Sequence, residues 1–391
     1  RNLLKMLRIG MLDRLTFFFV LAVAISFLWL IFSRDQSGSL LSDRVHKKVE
    51  APKLEPKDVA KDIRGVIKRD YINQDGMIES EKNKTTSESQ SYGLLIAVYS
   101  GDQEMFDRVW AWTKSHLQIR SEDKLFSWLW ENGKVTDVNP ATDADQDIAY
   151  ALYLAHAKWG EEEYLMDAKD IASDIWNIEM KEIAGERYVS AGNWATKGDG
   201  VVVNPSYLSP YIYRVFAEID PERDWMSIVD SSYALLEKCS GKSGLARDWC
   251  KLNDDGSVIP GFLLGGKKKD FGVYSYDALR VPYRVALDYK ISFDGRAKAY
   301  LDRQKILSKD WKLKGKIFAK YAVDSGKNIG TNESLASYGA QIASLSLSDK
   351  DAACGIFKKK SSPDLLKESD FYNLMWLWLG MEFLGDPISC D

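Results

Sequence analysis

The chain has 391 residues, of which 45% are apolar and 28% charged, and its net charge is −4. Those proportions belong to a globular protein with a proper core, in one large domain or two ordinary ones. Lys and Arg are scattered and form no basic face, which argues against a nucleic-acid partner. The three histidines, His46, His116 and His156, show no metal-ligand pairing. Cys239, Cys250, Cys354 and Cys390 show no Cys-x-x-Cys spacing, so neither a zinc ribbon nor a thioredoxin-type motif is expected, and nothing calls for a metal or another cofactor. Cys239 and Cys250 are near enough in sequence to pair if the domain is exported. Aromatic residues make up 12% of the chain, with 13 Trp. Core packing absorbs many of them, and exposed ones are the usual platforms for the apolar faces of sugar rings.

Residues 15–32 form an uncharged, mostly apolar run, long enough for the roughly 17–25 residues that cross a bilayer. Lys5, Arg8 and Arg14 precede it, so residues 1–14 are expected in the cytoplasm and the rest on the other side. No small-x-small cleavage site follows, and the run reads as an uncleaved signal anchor of a single-pass membrane protein; secretion after signal cleavage is the alternative. The first residue is Arg1, so the start of the protein is expected upstream. Residues 33–53 are polar, contain Ser-Gly-Ser and read as a linker.

From residue 54 to 391 the pattern is helical almost throughout. Apolar residues recur at helical intervals over 59–71, 91–100, 103–116, 148–159, 164–180, 208–217, 225–238, 281–290, 297–308 and 373–384. Strand-like alternation is sparse, and 187–190 and 200–204 are the clearest short extended pieces. This is an all-α domain of ten or more helices with long loops. Helical hairpins closed into a toroid and an irregular bundle share that periodicity.

Three constellations could carry chemistry. Glu88 lies in Ser87-Glu88-Ser89-Gln90-Ser91-Tyr92-Gly93, where it reads as an ordinary capping residue or as a site acid; Gly93 costs a helix roughly 1 kcal/mol unless close packing needs it. Asp143, Asp145 and Asp147 precede the apolar run 148–159; Asn139-Pro140 marks a turn, and Thr142 or Asp143 can cap the helix. Asp277 sits beside Tyr276 and three residues before Arg280, a surface ion pair or a carboxylate kept ionised by a cation and oriented by a phenol. The stretch 261–268 nearly spells a phosphate loop, but Lys268 stands where a Ser or Thr should be, and we reject it.

These stretches together resemble glycoside hydrolase family 8, which includes endoglucanases, xylanases, chitosanases and the hydrolases of bacterial cellulose synthesis. Ala141-Thr142-Asp143-Ala144-Asp145, continuing through Ile148, Ala149, Ala151 and Leu152 to Trp159, looks like the family signature. Residues 87–93 are similar to the family's Ser-Glu-Gly-Gln-Ser-Tyr-Gly, with Ser89 in place of Gly. Asn204-Pro205-Ser206-Tyr207 and Tyr276-Asp277-Ala278-Leu279-Arg280 resemble two further motifs, in the family's order. The resemblance implies an (α/α)6 toroid over residues 54–391 and an inverting mechanism. Glu88 would protonate the leaving glycosidic oxygen, Asp277 would activate water, and Asp143 would orient the sugar at the cleavage point. Tyr207, Tyr276 and Arg280 would donate hydrogen bonds to sugar or water, and Trp128 and Trp194 would stack on sugar rings. Asp145 and Asp147 would be structural.

The expected function is internal cleavage of a β-linked polysaccharide, with a β-1,4-glucan or a related exopolysaccharide as substrate. The anchor suits an extracytoplasmic enzyme beside a membrane polysaccharide synthase. A catalytically silent sugar-binding or assembly subunit on the same fold is the alternative.

Overall fold

The computed structural model describes residues 55–264, 267–269, 272–367, 369–385 and 390. The expected cytoplasmic segment, membrane span and linker lie outside the described residues. Among the described residues, no helix is long and apolar enough to cross a membrane.

The domain is mostly helical. In chain order the helices are α1 (Pro56–Asp70), α2 (Ser87–Ser100), α3 (Gln103–His116), α4 (Thr142–Trp159), α5 (Glu162–Ile178), α6 (Pro210–Ile219) and α7 (Trp225–Cys239). They continue with α8 (Val281–Ser292), α9 (Gly295–Arg303), α10 (Lys305–Lys314), α11 (Leu335–Ser346), α12 (Lys350–Lys360), α13 (Pro363–Lys367) and α14 (Phe371–Leu384).

Two sets of helices separate by burial and by contact. In the first set, α2 packs on α4, α4 on α6, α6 on α8, α8 on α11 and α11 on α14. Tyr92 of α2 meets Trp376 of α14 edge-on, with ring centroids 6.0 Å apart. In the second set, each helix backs one of the first: α3 on α2, α5 on α4, α7 on α6, α9 on α8, α12 on α11 and α1 on α14. Helices α2, α11 and α14 are buried almost all round, as their near-continuous apolar and small residues require. The second set carries one apolar face each, as in α1 with Val59, Ala60, Ile63 and Ile67 inward.

Glycines allow the closest approaches. Gly93 of α2 lies against Ile78; a Cβ there would meet the Ile78 side chain at 1.9 Å, so close packing does need it. Helices α11 and α14 cross at Gly339 and Gly380, where added Cβ atoms would stand 2.0 Å from the Trp376 carbonyl oxygen and 2.3 Å from that of Gly339.

The structure departs from the sequence expectation in its connections. The helix expected over 297–308 is two helices broken at Gln304. Helices α11, α12 and α13 lie outside the segments that spacing singled out. Twelve strands of two to four residues occur among the described residues, where two extended pieces were expected. Such short strands hold too few residues for a period of two to register. Three matter below: β1 (Lys84–Thr86), which runs directly into α2, β6 (Val201–Val203) and β7 (Cys250–Leu252). Residues 258–269 include three more short strands, not the strand–loop–helix of a phosphate loop. Both Cys239–Cys250 and Cys354–Cys390 are disulfides.

The backbone clash at the α11–α14 crossing cannot be relieved by a rotamer change. Gly339→Ala is therefore expected to lower stability by about 1–3 kcal/mol. Gly65→Ala, on exposed α1 with nothing within 4 Å of the new Cβ, is expected to raise it by about 0.5–1 kcal/mol. Urea unfolding of the two variants against wild type checks both signs.

Candidate active site

Four chain segments bring their polar side chains to one guanidinium. Arg280, buried between a short 3-10 turn (Ala278–Arg280) and α8, donates through Nη1 to Glu88 Oε1 at 2.6 Å and to Asp143 Oδ2 at 2.9 Å. Its Nη2 donates to Asp277 Oδ1 at 2.9 Å. The face of the Tyr207 ring lies 5.4 Å from the guanidinium carbon.

Glu88 is the second residue of α2. Thr86 caps that helix: its hydroxyl accepts from the Ser89 N–H, and the Ser89 hydroxyl accepts from the Thr86 N–H, both at 3.0 Å. Ser89, the departure from the family motif, thus closes a capping box and fixes the turn that presents Glu88. Tyr92, one turn later, donates to Glu88 Oε1 at 2.7 Å. The Trp128 carbonyl accepts from the Ser87 N–H at 3.0 Å, which sets the half-buried Trp128 beside the start of α2. A cavity of about 510 Å³ opens beside Glu88, lined by Lys84, Tyr92, Phe371 and Tyr372 among others.

Asp143 lies in the first turn of α4. The cap is Ala141 and lacks a side-chain bond, so neither Thr142 nor Asp143 caps the helix as the spacing predicted; Asp143 Oδ1 accepts from the Ala144 N–H instead. Its other oxygen meets Arg280. Burial, and next the charge of Glu88, push its carboxyl up to about 7, while Arg280 and Arg284 pull the other way. Asp147, one turn on, is taken up by an ion pair: both its oxygens accept from Arg284, at 2.5 and 2.7 Å, in the buried interior. Asp145 accepts from the Phe126 N–H at 2.9 Å and does not reach Arg280.

Asp277 is held by a small sheet. Strands β6 and β7 pair with Val203 opposite Cys250, which brings the residues at their ends, Asn204 and Trp249, together. Asn204 Nδ2 and Trp249 Nε1 each donate to Asp277, at 3.0 Å. With Arg280 that makes three donors to Asp277. Buried Asp248 accepts from the backbone N–H groups of Ser275 and Ala278, at 2.7 and 2.9 Å, and so fixes the turn that carries Asp277. Burial, then the charge of Asp277, raise the Asp248 carboxyl to about 6. The Cys239–Cys250 disulfide ties β7 to the end of α7.

The other expected ligand residues divide. Tyr207 and Arg280 are in the cluster. Trp194 stands 6.4 Å from Trp249, centroid to centroid, at its edge. Tyr276 does not orient Asp277: its ring is 42% exposed and turns to Lys320, in a separate cavity of about 290 Å³. The phenols beside the acids are Tyr92 and Tyr207, and the Tyr372 hydroxyl donates to the Tyr276 carbonyl. Sequence reasoning assigned no role to Tyr92, Asn204, Asp248, Trp249 or Tyr372. Tyr92, four residues after Glu88 on a helix, carried a spacing signal; Trp249 and Tyr372 carried none.

The glycosyl hydrolases family 8 model matches residues 61–374. The chain belongs to this family. Among curated relatives, Endoglucanase C of Ruminiclostridium cellulolyticum is 34% identical over 226 residues, covering 56% of this chain and 45% of the relative. Endoglucanase A of Acetivibrio thermocellus is 31% identical over 306 residues, covering 74% and 58%. The chain thus spans about half the length of the curated relatives it matches. Among solved structures, the endo-1,4-D-glucanase of Vibrio fischeri ES114 superposes with a TM-score of 0.72 at 27% identity, covering 83% of this chain and 95% of that one. A β-1,3-1,4-glucanase from Paenibacillus sp. X4 gives 0.74 at 23% identity, covering 83% and 90%, and supports the fold alone.

In this family 8 chain the Asp143 proton is a linkage between pH and stability. Its folded value, about 7, exceeds the roughly 3.9 of an unfolded Asp, so the native state binds the proton more tightly. Stability from this group is full below pH ~4 and declines as pH rises to about 7. D143N is expected to flatten that part of the stability–pH curve, read by denaturant unfolding. Arg280→Met removes the cation that holds Asp143 down, and NMR titration is expected to find its carboxyl above 7.

Proposed function

We propose that residues 54–391 are an inverting glycosidase domain that cleaves internal β-1,4-glucan bonds, built as an (α/α)6 toroid. The two helix sets, six against six, support the toroid. One observation carries the catalytic reading: Glu88, Asp143 and Asp277, from three motifs far apart in sequence, converge on Arg280. The endoglucanase names of the relatives support the substrate class.

In this reading Glu88 protonates the glycosidic oxygen as its bond to the anomeric carbon breaks. Water attacks that carbon from the opposite face and gives its proton to Asp277. The product keeps the water oxygen with inverted configuration, and solvent exchange resets both acids. Inverting pairs stand about 6.5–9.5 Å apart to admit the water. Here a guanidinium stands between the two carboxyls, at hydrogen-bond distance from each, which keeps them out of direct contact. Glu88 and Asp143 share one Arg280 nitrogen, so the two acids stand side by side where the departing oxygen takes its proton from Glu88. Asp143 orients the sugar, Tyr207 and Arg280 bind it, and Trp128 and Trp194 flank it. Tyr276, on its separate cavity, is a more distant sugar contact.

The same proposal places residues 15–32 in the membrane as a signal anchor, with 1–14 inside, 33–53 as a linker, and the domain outside beside a polysaccharide synthase. The two disulfides support export, because such bonds persist in oxidising compartments.

The test is a panel of β-glucans, xylan and chitosan assayed for new reducing ends, with the product anomer followed by NMR. Wild type is expected to release initially α product from a β-1,4-glucan. Glu88→Gln and Asp277→Asn are each expected to lower kcat by at least about 10²-fold, the scale of one acid–base residue. Binding without any release of reducing ends would make the chain a silent polysaccharide-binding subunit instead.

A further inference from the structure

Asp145 and Glu179 are both fully buried, and no described cation is paired with either. Asp145 sits in the first turn of α4, and Glu179 is the residue that ends α5. The two carboxyls face each other within hydrogen-bonding reach, with Thr142 beside Glu179. Yet Asp145 Oδ2, both Glu179 carboxyl oxygens and the Thr142 hydroxyl accept or donate no conventional hydrogen bond. Two ionised carboxylates offer only acceptors to each other. A single proton between them turns that contact into a bond.

The surrounding charges leave no other remedy. Asp143 on the same helix is itself acidic. Arg120, in the loop before β2 (Leu129–Glu131), reaches the pair only through space; its own fork is bound to Asp123, at 2.7 Å through both Nε and Nη2. From the residues after Glu179, Lys181 turns to the carbonyls of Gly198 and Gly200, and Arg187 stacks on Trp176. On α5, Asp174 accepts from the Lys124 N–H, and on α2 Glu88 is bound to Arg280. Burying two unpaired carboxylates costs several kcal/mol for each ion.

We propose that Asp145 and Glu179 share one proton and act as positioning residues, fixing the first turn of α4 so that Asp143 meets Arg280. The anchoring is direct: Asp145 also grips the Phe126 N–H, two residues before Trp128, and Glu179 holds the 190–192 turn through its carbonyl, which accepts from the Ser190 N–H and hydroxyl. Burial is the main cause that drives both carboxyls well above the usual range, each pushed further by the charge of the other or of Asp143. When the shared proton leaves, two like charges are buried together, water enters, and the turn carrying Asp143 shifts.

The sign follows from linkage. The native pair holds its proton more tightly than the unfolded chain, so its contribution to stability falls as pH rises through the pair's raised range. Glu179→Gln supplies an amide that donates to Asp145 without needing the proton. The role in turnover rests on the glycosidase reading, but three readouts do not. In a titration carried past the Asp143 value of about 7, wild type is expected to keep an infrared C=O stretch of a protonated carboxyl that E179Q lacks. Wild-type stability is expected to fall as pH rises through the range where that band is lost, and that slope to vanish in E179Q. The Asp143 carboxyl resonance is expected to show a second, alkaline inflection in wild type only. On a hydrolysed glucan, the alkaline midpoint of kcat is expected to move up by about one unit in E179Q, an about tenfold gain over wild type on that side.

No protonated-carboxyl band in wild type overturns the proposal. So does a wild-type stability gain on adding Na⁺ or Ca²⁺, which would make the pair a cation site. An unchanged Asp143 inflection in E179Q overturns the positioning role and leaves a merely structural pair. If E179Q does not fold, Asp145→Asn, which removes the same charge, takes its place in each measurement. A chain that hydrolyses nothing but keeps the band and the inflection refutes the glycosidase reading and not this one.

Discussion

The site depends on a buried cation that three acids cannot do without. Arg280 is 3% exposed and binds Glu88, Asp143 and Asp277, which come from α2, α4 and the turn before α8. A guanidinium suits this because its planar fork presents fixed donors to several carboxylates at once. It is itself placed by a second rung. Arg284 binds Asp147 with both terminal nitrogens, and Arg280 stands four residues before Arg284 just as Asp143 stands four before Asp147. The lower rung, dry and supported by the Tyr211 hydroxyl, sets the register in which the upper rung meets its ligands. Breaking a buried pair of this kind leaves an unpaired charge, so the two helices have little freedom to slide.

The three aspartates at the start of α4 receive three different treatments within a turn and a half. Asp147 is fully ion-paired. Asp143 is half-compensated by a cation it shares with two other acids, and its carboxyl rises to about 7. Asp145 faces another carboxyl. Asp143 and Asp147, four apart, share the helix face that meets the two arginines, while Asp145, two residues from each, points away to the Phe126 N–H. Charge is thus kept near Arg280 without piling three anions into one place.

Much of this was legible in the sequence, for uneven reasons. Amphipathic helices such as α1 and α3 announced themselves by spacing. Helices α2 and α14 carry apolar or small residues on every side, so they gave a helical length without a face. Helix α11, rich in Ser, Ala and Gly, gave no contrast at all. The break at Gln304 follows from one backbone angle that no motif marks. Of the candidate site, the resemblance placed Glu88, Asp143 and Asp277 at one cleavage point, and spacing set Arg280 beside Asp277. Their meeting at one guanidinium was invisible, because it is made by the order in which helices pack. The donors Asn204 and Trp249 escaped for a related reason: they meet because two three-residue strands pair, and strands so short leave no pattern.

Ser89 shows how a departure from a motif can be read physically. The position after the acid is buried and lies against the Ile78 carbonyl, so it demands a small side chain. Glycine meets the demand but leaves the helix start to flexible backbone. Serine meets it too, and its hydroxyl accepts from the Thr86 N–H while donating to the Thr86 carbonyl at 2.8 Å. A larger residue would push α2 away from the 78–86 loop, and Glu88 with it. The substitution therefore preserves the one thing that the acid needs from its neighbour, a first helical turn that does not move.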